Sequence, residues 1–258
     1  MGAILLDVDG VLHVSGNPIL GGAKAVTRLR QAGHRIRFVT NNTTYSRKAL
    51  AEEIRSFGVE LEDQELQTTP LAAAHALKGK RVLALTMAAI VEDLEGLELV
   101  GEGAEAVLLG GADETLETNR VFSYFNLARA FAELQDGAEL YCLHKNRWWQ
   151  TSRGALLDAG AFVAGLEYAA EIEATVLGKP SAAYFGAALD ALEYEPGETW
   201  MVGDDVEADV GGAAAFGLRT VLVRTGKFRE EALEEAAVKP DGIVDSIAAL
   251  PDWLESST

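Results

Sequence analysis

Short apolar runs of strand type alternate with helix-period segments along almost the whole chain. That alternation restricts the fold more than any motif does, because parallel strands need crossover connections and amphipathic helices usually supply them. Ile4–Leu6 reads as a first strand. Between Gly22 and Ala32, Val26 and Leu29 lie three apart and Gly33 offers a stop, which predicts a helix. RIRFVTNN predicts the second strand, and Ser46 caps a helix with Leu50, Ile54 and Phe57 on one face and Gly58 at its end. Towards the C-terminus ATVLGKP and TWMVGDD read as a third and a fourth strand. Pro180 fits the first turn of a helix bearing Phe185, Ala188, Leu189 and Leu192. A helix closing at Gly217 and the strand TVLVRTG follow. The expected class is α/β with a mainly parallel sheet.

The middle of the chain has its own complement of elements. RVLALT, AVLLGG and ELYCLHK read as strands, while Leu127, Phe131 and Leu134 mark one helix and Phe162, Leu166 and Ala169 another. A segment of this size is domain-like. We therefore expect an inserted α/β domain over 70–174, dividing a core formed by 1–69 and 175–258.

Charge and cysteine content narrow the function. The chain carries 40 acidic against 22 basic residues, a net charge of −18. That balance weighs against nucleic-acid binding, which depends on Lys and Arg at phosphates, and an anionic substrate would need positive charge placed locally. The single cysteine, Cys142, forms no intrachain disulfide and sits among Leu140, Tyr141 and Leu143, as a buried filler would. The opening Met1–Leu6 lacks a basic leader and is cut short by Asp7, and no apolar run approaches the ~18 residues of a membrane span. The expected location is the cytoplasm, with no membrane partner.

In an open parallel sheet, ligands bind at the carboxyl ends of the strands. The first strand ends in Asp7 and Asp9, the second in Thr40, Asn41 and Asn42, the third in Lys179, and the fourth in Asp204 and Asp205, with Asp209 one turn on. Each group alone reads as turn or cap residues. Together they gather five acids, one lysine and neutral hydrogen-bonders at one edge. Carboxylates so crowded repel one another unless a cation holds them ionised, and magnesium suits oxygen-only ligands. Positions i and i+2 of an extended segment point to the same side, so Asp7 and Asp9 address one reacting group. Asp7 would attack phosphorus, and Asp9 would protonate the leaving oxygen and then activate water. Lys179 offers a point charge to a phosphate oxygen, with Thr40 and Asn41 adding hydrogen bonds. The same inventory also suits a phosphomutase, or a receiver-like domain whose phosphorylated aspartate signals.

Other chemistries lack their residues. A calcium loop would need an oxygen ligand and a glycine where Val11 and Leu12 stand. GEGAEA leads into a strand instead of opening a helix, and no nucleotide phosphate loop is present. His13, His34, His75 and His144 have no ligand-spaced partners for zinc. Trp148 and Trp149 read as packing residues.

DVDGVL, VTNNT, GKP and GDDVEAD occur in that order, and with them the chain resembles the haloacid dehalogenase superfamily phosphatases. The likeness is to the subclass whose large α/β cap lies between the second and third motifs, and it extends over essentially the whole chain, HKNRWW and FVAGLEYA included. It implies a Rossmann-like core with an inserted cap and a magnesium-dependent phosphatase acting on small phosphorylated compounds. It further implies Asp7 as nucleophile and Asp9 as acid and base. Magnesium would be held by Asp7, the main-chain carbonyl of Asp9, and Asp204, with Asp205 and Asp209 acting through water or by orienting Lys179. Thr40, Asn41, Asn42 and Lys179 would hold the phosphoryl group. His144, Lys145, Asn146 and Arg147 of the cap would meet the leaving group, and cap-to-cap pairing would make a homodimer.

Overall fold

The structure, a computed structural model, describes residues 2–113, 115–151 and 154–256. The chain opens with β1 (Ala3–Asp7), α1 (Gly22–Gln31), β2 (Arg35–Thr40), α2 (Arg47–Ser56) and β3 (Leu66–Thr68). A second set follows: α3 (Thr69–Ala76), β4 (Arg81–Leu85), β5 (Glu98–Leu99), β6 (Ala106–Leu109), α4 (Leu116–Val121) and α5 (Tyr124–Gln135). It continues with β7 (Glu139–Cys142), the antiparallel hairpin of β8 (Trp148–Thr151) and β9 (Gly154–Leu157), α6 (Gly160–Ala170) and β10 (Thr175–Val176). The chain then returns through α7 (Ala182–Asp190), β11 (Thr199–Gly203), α8 (Gly212–Phe216), β12 (Arg219–Val223), α9 (Glu230–Glu235), β13 (Gly242–Val244) and α10 (Leu250–Ser256).

These elements form two compact units. The first comprises 1–40, 47–67 and 179–258, and the second 41–46 and 68–178. The first unit holds a six-stranded sheet of order β13-β12-β11-β1-β2-β3, parallel in its pairings from β13 to β2. In the second unit five strands are ordered β10-β7-β6-β4-β5 and pair in parallel throughout. Both are Rossmann-like α/β sheets. Ile4, Leu6, Phe38, Val202 and Val221 of the central strands pack on Val26, Leu29 and Ile54 of the helices to make the first core. Each such buried side chain contributes roughly 1.5–3 kcal/mol. Val107, Leu109, Leu140 and Cys142 pack on Leu134, Val163 and Leu166 in the second. Burial pushes the Cys142 thiol up to about 12, so it is an inert filler as its neighbours suggested.

Several expectations need correction. ATVLGKP does contain a strand, but β10 pairs with Tyr141 and Cys142 of β7 and belongs to the second unit. The Leu177 N–H continues that ladder to the Cys142 carbonyl, and Leu177 is buried in the second unit's core. The chain therefore returns to the first unit only at Lys179, later than expected. Pro180 lies before the helix: Ser181 is the N-cap and its Oγ accepts the Tyr184 N–H. Asp9 lies beyond the end of β1 and is exposed where Asp7 is buried, so the two are not successive positions on one strand face. Trp148 is 57% exposed on its hairpin and does not pack as a core residue. The Trp149 side chain lies outside the described residues.

Phe38 is fully buried at the centre of the first core. Phe38→Ala is expected to lose ~3–5 kcal/mol, seen as an earlier urea transition of the first unit. An unchanged midpoint would contradict this packing.

Candidate active site

The first sheet reverses its strand order between β1 and β11. Strands that follow β1 add on one side of it, and those that follow β11 add on the other. Such a reversal opens a crevice at the carboxyl ends of the two central strands. Asp7 is the last residue of β1, and Asp204 directly follows β11. The crevice is therefore lined by acids from the outset.

Lys179 is buried between them. Its Nζ donates to Asp7 Oδ1 at 2.8 Å and to Asp209 Oδ1 at 2.7 Å. Asp7 Oδ1 also accepts the Val8 N–H at 2.9 Å, which leaves Oδ2 with no hydrogen bond among the described residues. Asp209 is fully committed: its Oδ2 accepts the N–H groups of Asp204 at 3.2 Å and Asp205 at 3.1 Å. A side chain on Gly203 would put its Cβ 2.1 Å from that oxygen, so only glycine lets Asp209 sit there. Asp209 reaches this place from a single π-helical stretch, Val206–Gly211, whose N-cap is Asp205. Asp205 Oδ1 accepts the N–H groups of Glu207 and Ala208, each at 3.0 Å. Its role is thus to shape the turn that carries Asp209.

Gly10 adopts φ +83, and a Cβ there would lie 1.9 Å from Asp204 Oδ2. The glycine admits both the turn after β1 and the close approach of Asp204. Asp9, just before it, lies with Oδ2 3.4 Å from Thr40 Oγ1 and Oδ1 3.6 Å from His13 Nε2. Its carboxylate is mostly in solvent.

Thr40 closes β2, and its backbone is fixed by a residue the motifs did not single out. The fully buried Tyr184 hydroxyl accepts the Thr40 N–H at 2.8 Å and lies 2.9 Å from the carbonyls of Thr40 and Gln67. A buried tyrosine needs a partner for its hydroxyl, and its place on the α7 face beside Phe185 was the signal available. The segment after β12 was also missed. The Lys227 N–H donates to Asp204 Oδ2 at 2.6 Å, Lys227 Nζ lies 3.5 Å from Asp205 Oδ2, and Thr225 Oγ1 donates to the Gly10 carbonyl. Its signal was position alone, at the end of a further parallel strand.

The remaining expected residues lie in the second unit. Asn42 Oδ1 accepts the N–H groups of Thr44 and Tyr45, each at 3.0 Å, and Asn41 lies beside Gly178. His144 is buried, with Nε2 3.1 Å from Thr43 Oγ1 and Nδ1 accepting the Asn146 N–H at 3.3 Å. Lys145 pairs with Glu167 at 2.7 Å, and Asn146 and Arg147 are exposed.

The acids of the crevice are electrostatically strained. Burial pushes Asp7 up to about 6, against the pull of Lys179 and with the repulsion of Asp204 and Asp9 added. Asp204 is raised to about 6 by burial and by Asp209, and Asp209 to about 7 by burial, opposed by Lys179. Burial works against the charge of Lys179, but Asp209 and Asp7 outweigh it and hold the ammonium well above its usual range. Oxygens of Asp7, Asp204 and Asp209 lie within 4.8 Å of one another. Three ionised carboxylates against one ammonium leave two negative charges, the charge of one divalent cation. With Asp209 already engaged, Asp7 and Asp204 are the side chains fitted to hold such an ion, an all-oxygen set of the kind hard cations take.

Comparison with known proteins agrees with this geometry. The family described as Haloacid dehalogenase-like hydrolase matches residues 4–100, and HAD-hydrolase-like matches 176–250. The chain is 38% identical over 264 residues to the phospholysine phosphohistidine inorganic pyrophosphate phosphatase of Xenopus laevis, covering 99% of this chain and 95% of that one. The p-nitrophenyl phosphatase from Archaeoglobus fulgidus superposes with a TM-score of 0.89 at 28% identity, over 98% of each chain. A glycerol phosphate phosphatase from Mycobacterium tuberculosis, solved with magnesium, gives 0.85 at 26% identity, over 96% of this chain and 76% of that one.

The raised acids fix a pH dependence. Carboxyls whose folded pKa lies above the unfolded value bind protons more strongly when folded, so in metal-free protein their contribution to stability falls as pH rises through about 6 to 7. A divalent cation should therefore raise the melting temperature more at about pH 8 than at about pH 5, where protons compete for the same oxygens. Equal shifts at both pH values would contradict the cluster's role.

Proposed function

The chain belongs to the haloacid dehalogenase-like hydrolases, and from that membership we propose that it is a magnesium-dependent phosphatase of small phosphorylated compounds, working through an aspartyl-phosphate on Asp7. The observation that carries this reading is the Lys179 ammonium held between Asp7 and Asp209, with Asp7 Oδ2 unengaged beside it. Lys179 meets the incoming phosphoryl oxygens with positive charge that the chain as a whole lacks. Asp209 keeps that ammonium in place, and Thr40 at the end of β2 adds hydrogen bonds.

Asp7 Oδ2 attacks phosphorus, and the bond to the leaving oxygen breaks as Asp9 gives that oxygen its proton. Asp9 is suited to the exchange because its carboxylate is in solvent, next to a nucleophile that is not. In the second half Asp9 takes a proton from water, the water oxygen bonds to phosphorus, and the Asp7–phosphorus bond breaks. Phosphate leaves and both aspartates are restored. Magnesium, held by Asp7, Asp204 and the Asp9 carbonyl, would neutralise the charge on the phosphoryl group. An acid and base beside the nucleophile favours rapid hydrolysis over the long-lived phosphoaspartate of a receiver domain.

Relatives define where to look for substrates. Two structural neighbours are named for phosphoric monoesters, and the curated relative for phospholysine, phosphohistidine and pyrophosphate. Monoesters are the first choice here, with phosphoamides and pyrophosphate as further candidates.

Phosphate release from p-nitrophenyl phosphate should require magnesium, stop on chelation and return when the metal is restored. Asp7→Asn should abolish it, and Asp9→Asn should lower it by about 10²–10⁴-fold. Turnover by Asp7→Asn at the wild-type rate would defeat the proposed nucleophile.

A further inference from the structure

None of the steps above uses His13, although its imidazole lies beside Asp9. The chain turns at Gly10, where φ is +83, and main-chain bonds bring it back. The Gly10 N–H donates to the His13 carbonyl at 2.7 Å, and the Leu12 N–H to the Val8 carbonyl at 2.9 Å. His13 then opens a short hairpin, in which His13–Val14 pairs antiparallel with Asn17–Pro18. The backbone thus returns residue 13 to the carboxylate four positions earlier. All of these residues belong to the first unit.

The ring has little freedom. It is 6% exposed and packs on Phe57 with ring centroids 5.0 Å apart. Its Nδ1 accepts the Gly16 N–H at 3.2 Å. An imidazole that accepts through one nitrogen carries its proton on the other. The Gly16 bond therefore assigns the proton to Nε2, which lies 3.6 Å from Asp9 Oδ1. A buried donor is aimed at a carboxylate that is itself 58% exposed. The separation is longer than a formed hydrogen bond, and catalytic contacts in ligand-free proteins are often long until substrate tightens them.

The two oxygens of Asp9 are consequently not equivalent. Oδ1 faces the imidazole donor. Oδ2 lies 3.4 Å from Oγ1 of Thr40, the residue that ends β2 where the phosphoryl group is expected. An exposed carboxyl without such a partner turns easily about its last torsion and exchanges its two oxygens. An oxygen that accepts from Nε2–H does not carry the carboxyl proton, so the proton of Asp9 is directed to Oδ2.

We infer that His13 is a positioning residue for Asp9: its Nε2–H holds Oδ1, so that Oδ2 carries the proton given to the leaving oxygen. That proton moves from Oδ2 as the bond from phosphorus to the leaving oxygen breaks, and His13 keeps its own. The inference rests on the aspartyl-phosphate chemistry proposed above and adds a residue to its acid half.

Dependence on the leaving group tests it. Phenyl phosphate and p-nitrophenyl phosphate give the same aspartyl-phosphate, but phenolate is the more basic leaving group and needs the proton more. The comparison is made in kcat/KM, which covers the steps up to departure of that group. His13→Phe keeps the packing on Phe57, and His13→Asn keeps an acceptor for the Gly16 N–H; both remove the donor at Nε2. Each should lose about tenfold on phenyl phosphate and about twofold or less on p-nitrophenyl phosphate, whose retained turnover shows the variant folded. His13→Gln, with an amide N–H in place of Nε2–H, should recover part of the loss. In an Asp9→Asn background, His13→Phe should cost no more on one ester than on the other. Equal losses on both esters in His13→Phe and His13→Asn, or a skew that persists in the Asp9→Asn background, would overturn the assignment of His13 and leave the phosphatase reading intact. No magnesium-dependent phosphate release from either ester by wild type would overturn both.

Discussion

One buried ammonium organises the first unit. Lys179 reaches two carboxylates from different parts of the chain, Asp7 at the end of β1 and Asp209 after β11. Leaving a buried charge without its partner typically costs ~3–5 kcal/mol, so the three side chains stand or fall together. The constraint extends through α7, which starts just beyond Lys179 behind the Ser181 cap. From the same helix Tyr184 ties down the ends of β2 and β3 at Thr40 and Gln67. Lys179 and the short helix that follows Ser181 therefore make contacts with β1, the segment after β11, β2 and β3. The site's accuracy comes from that arrangement, and the loops bearing Asp9 and Lys227 are fitted to it.

The charge of the crevice opposes its own stability until a cation enters. Burial, with the repulsion of neighbouring carboxylates added, raises Asp7, Asp204 and Asp209, and Lys179 offsets only part of it. This is a folding cost accepted at a functional site, and it is consistent with a proposed mechanism that needs an ionised aspartate next to a phosphoryl group. The −18 net charge makes the same point at larger scale. A chain that repels anions in general must concentrate its attraction at a few fixed cations. Lys179, held by Asp7 and Asp209, is such a cation.

Much of this was legible in the sequence because strand ends are legible. An apolar run followed abruptly by a carboxylate, as at Leu6–Asp7 or Gly203–Asp204, marks both the strand and its functional end. ATVLGKP misled because a strand of two paired residues carries no periodicity that says which sheet it joins. The relation of Asp7 to Asp9 was hidden because the strand stops at Asp7, and Gly10 turns the backbone at a positive φ. The Lys227 contribution is a main-chain N–H, which has no side-chain signature. Asp209 was noticed as one helical turn beyond Asp205, but its reach depends on a π-helical stretch that an apolar pattern does not disclose.

The proposed chemistry rests on Asp7 as the nucleophile that accepts the phosphoryl group. Rapid quenching of the enzyme during turnover of a labelled phosphomonoester, then borohydride reduction and peptide sequencing, tests that assignment directly. A phosphorylated aspartate is reduced to homoserine, so the account requires homoserine at position 7 and label on protein that decays as phosphate appears. Label that never joins the chain during steady turnover, or homoserine at position 9 or 204 instead, would contradict it.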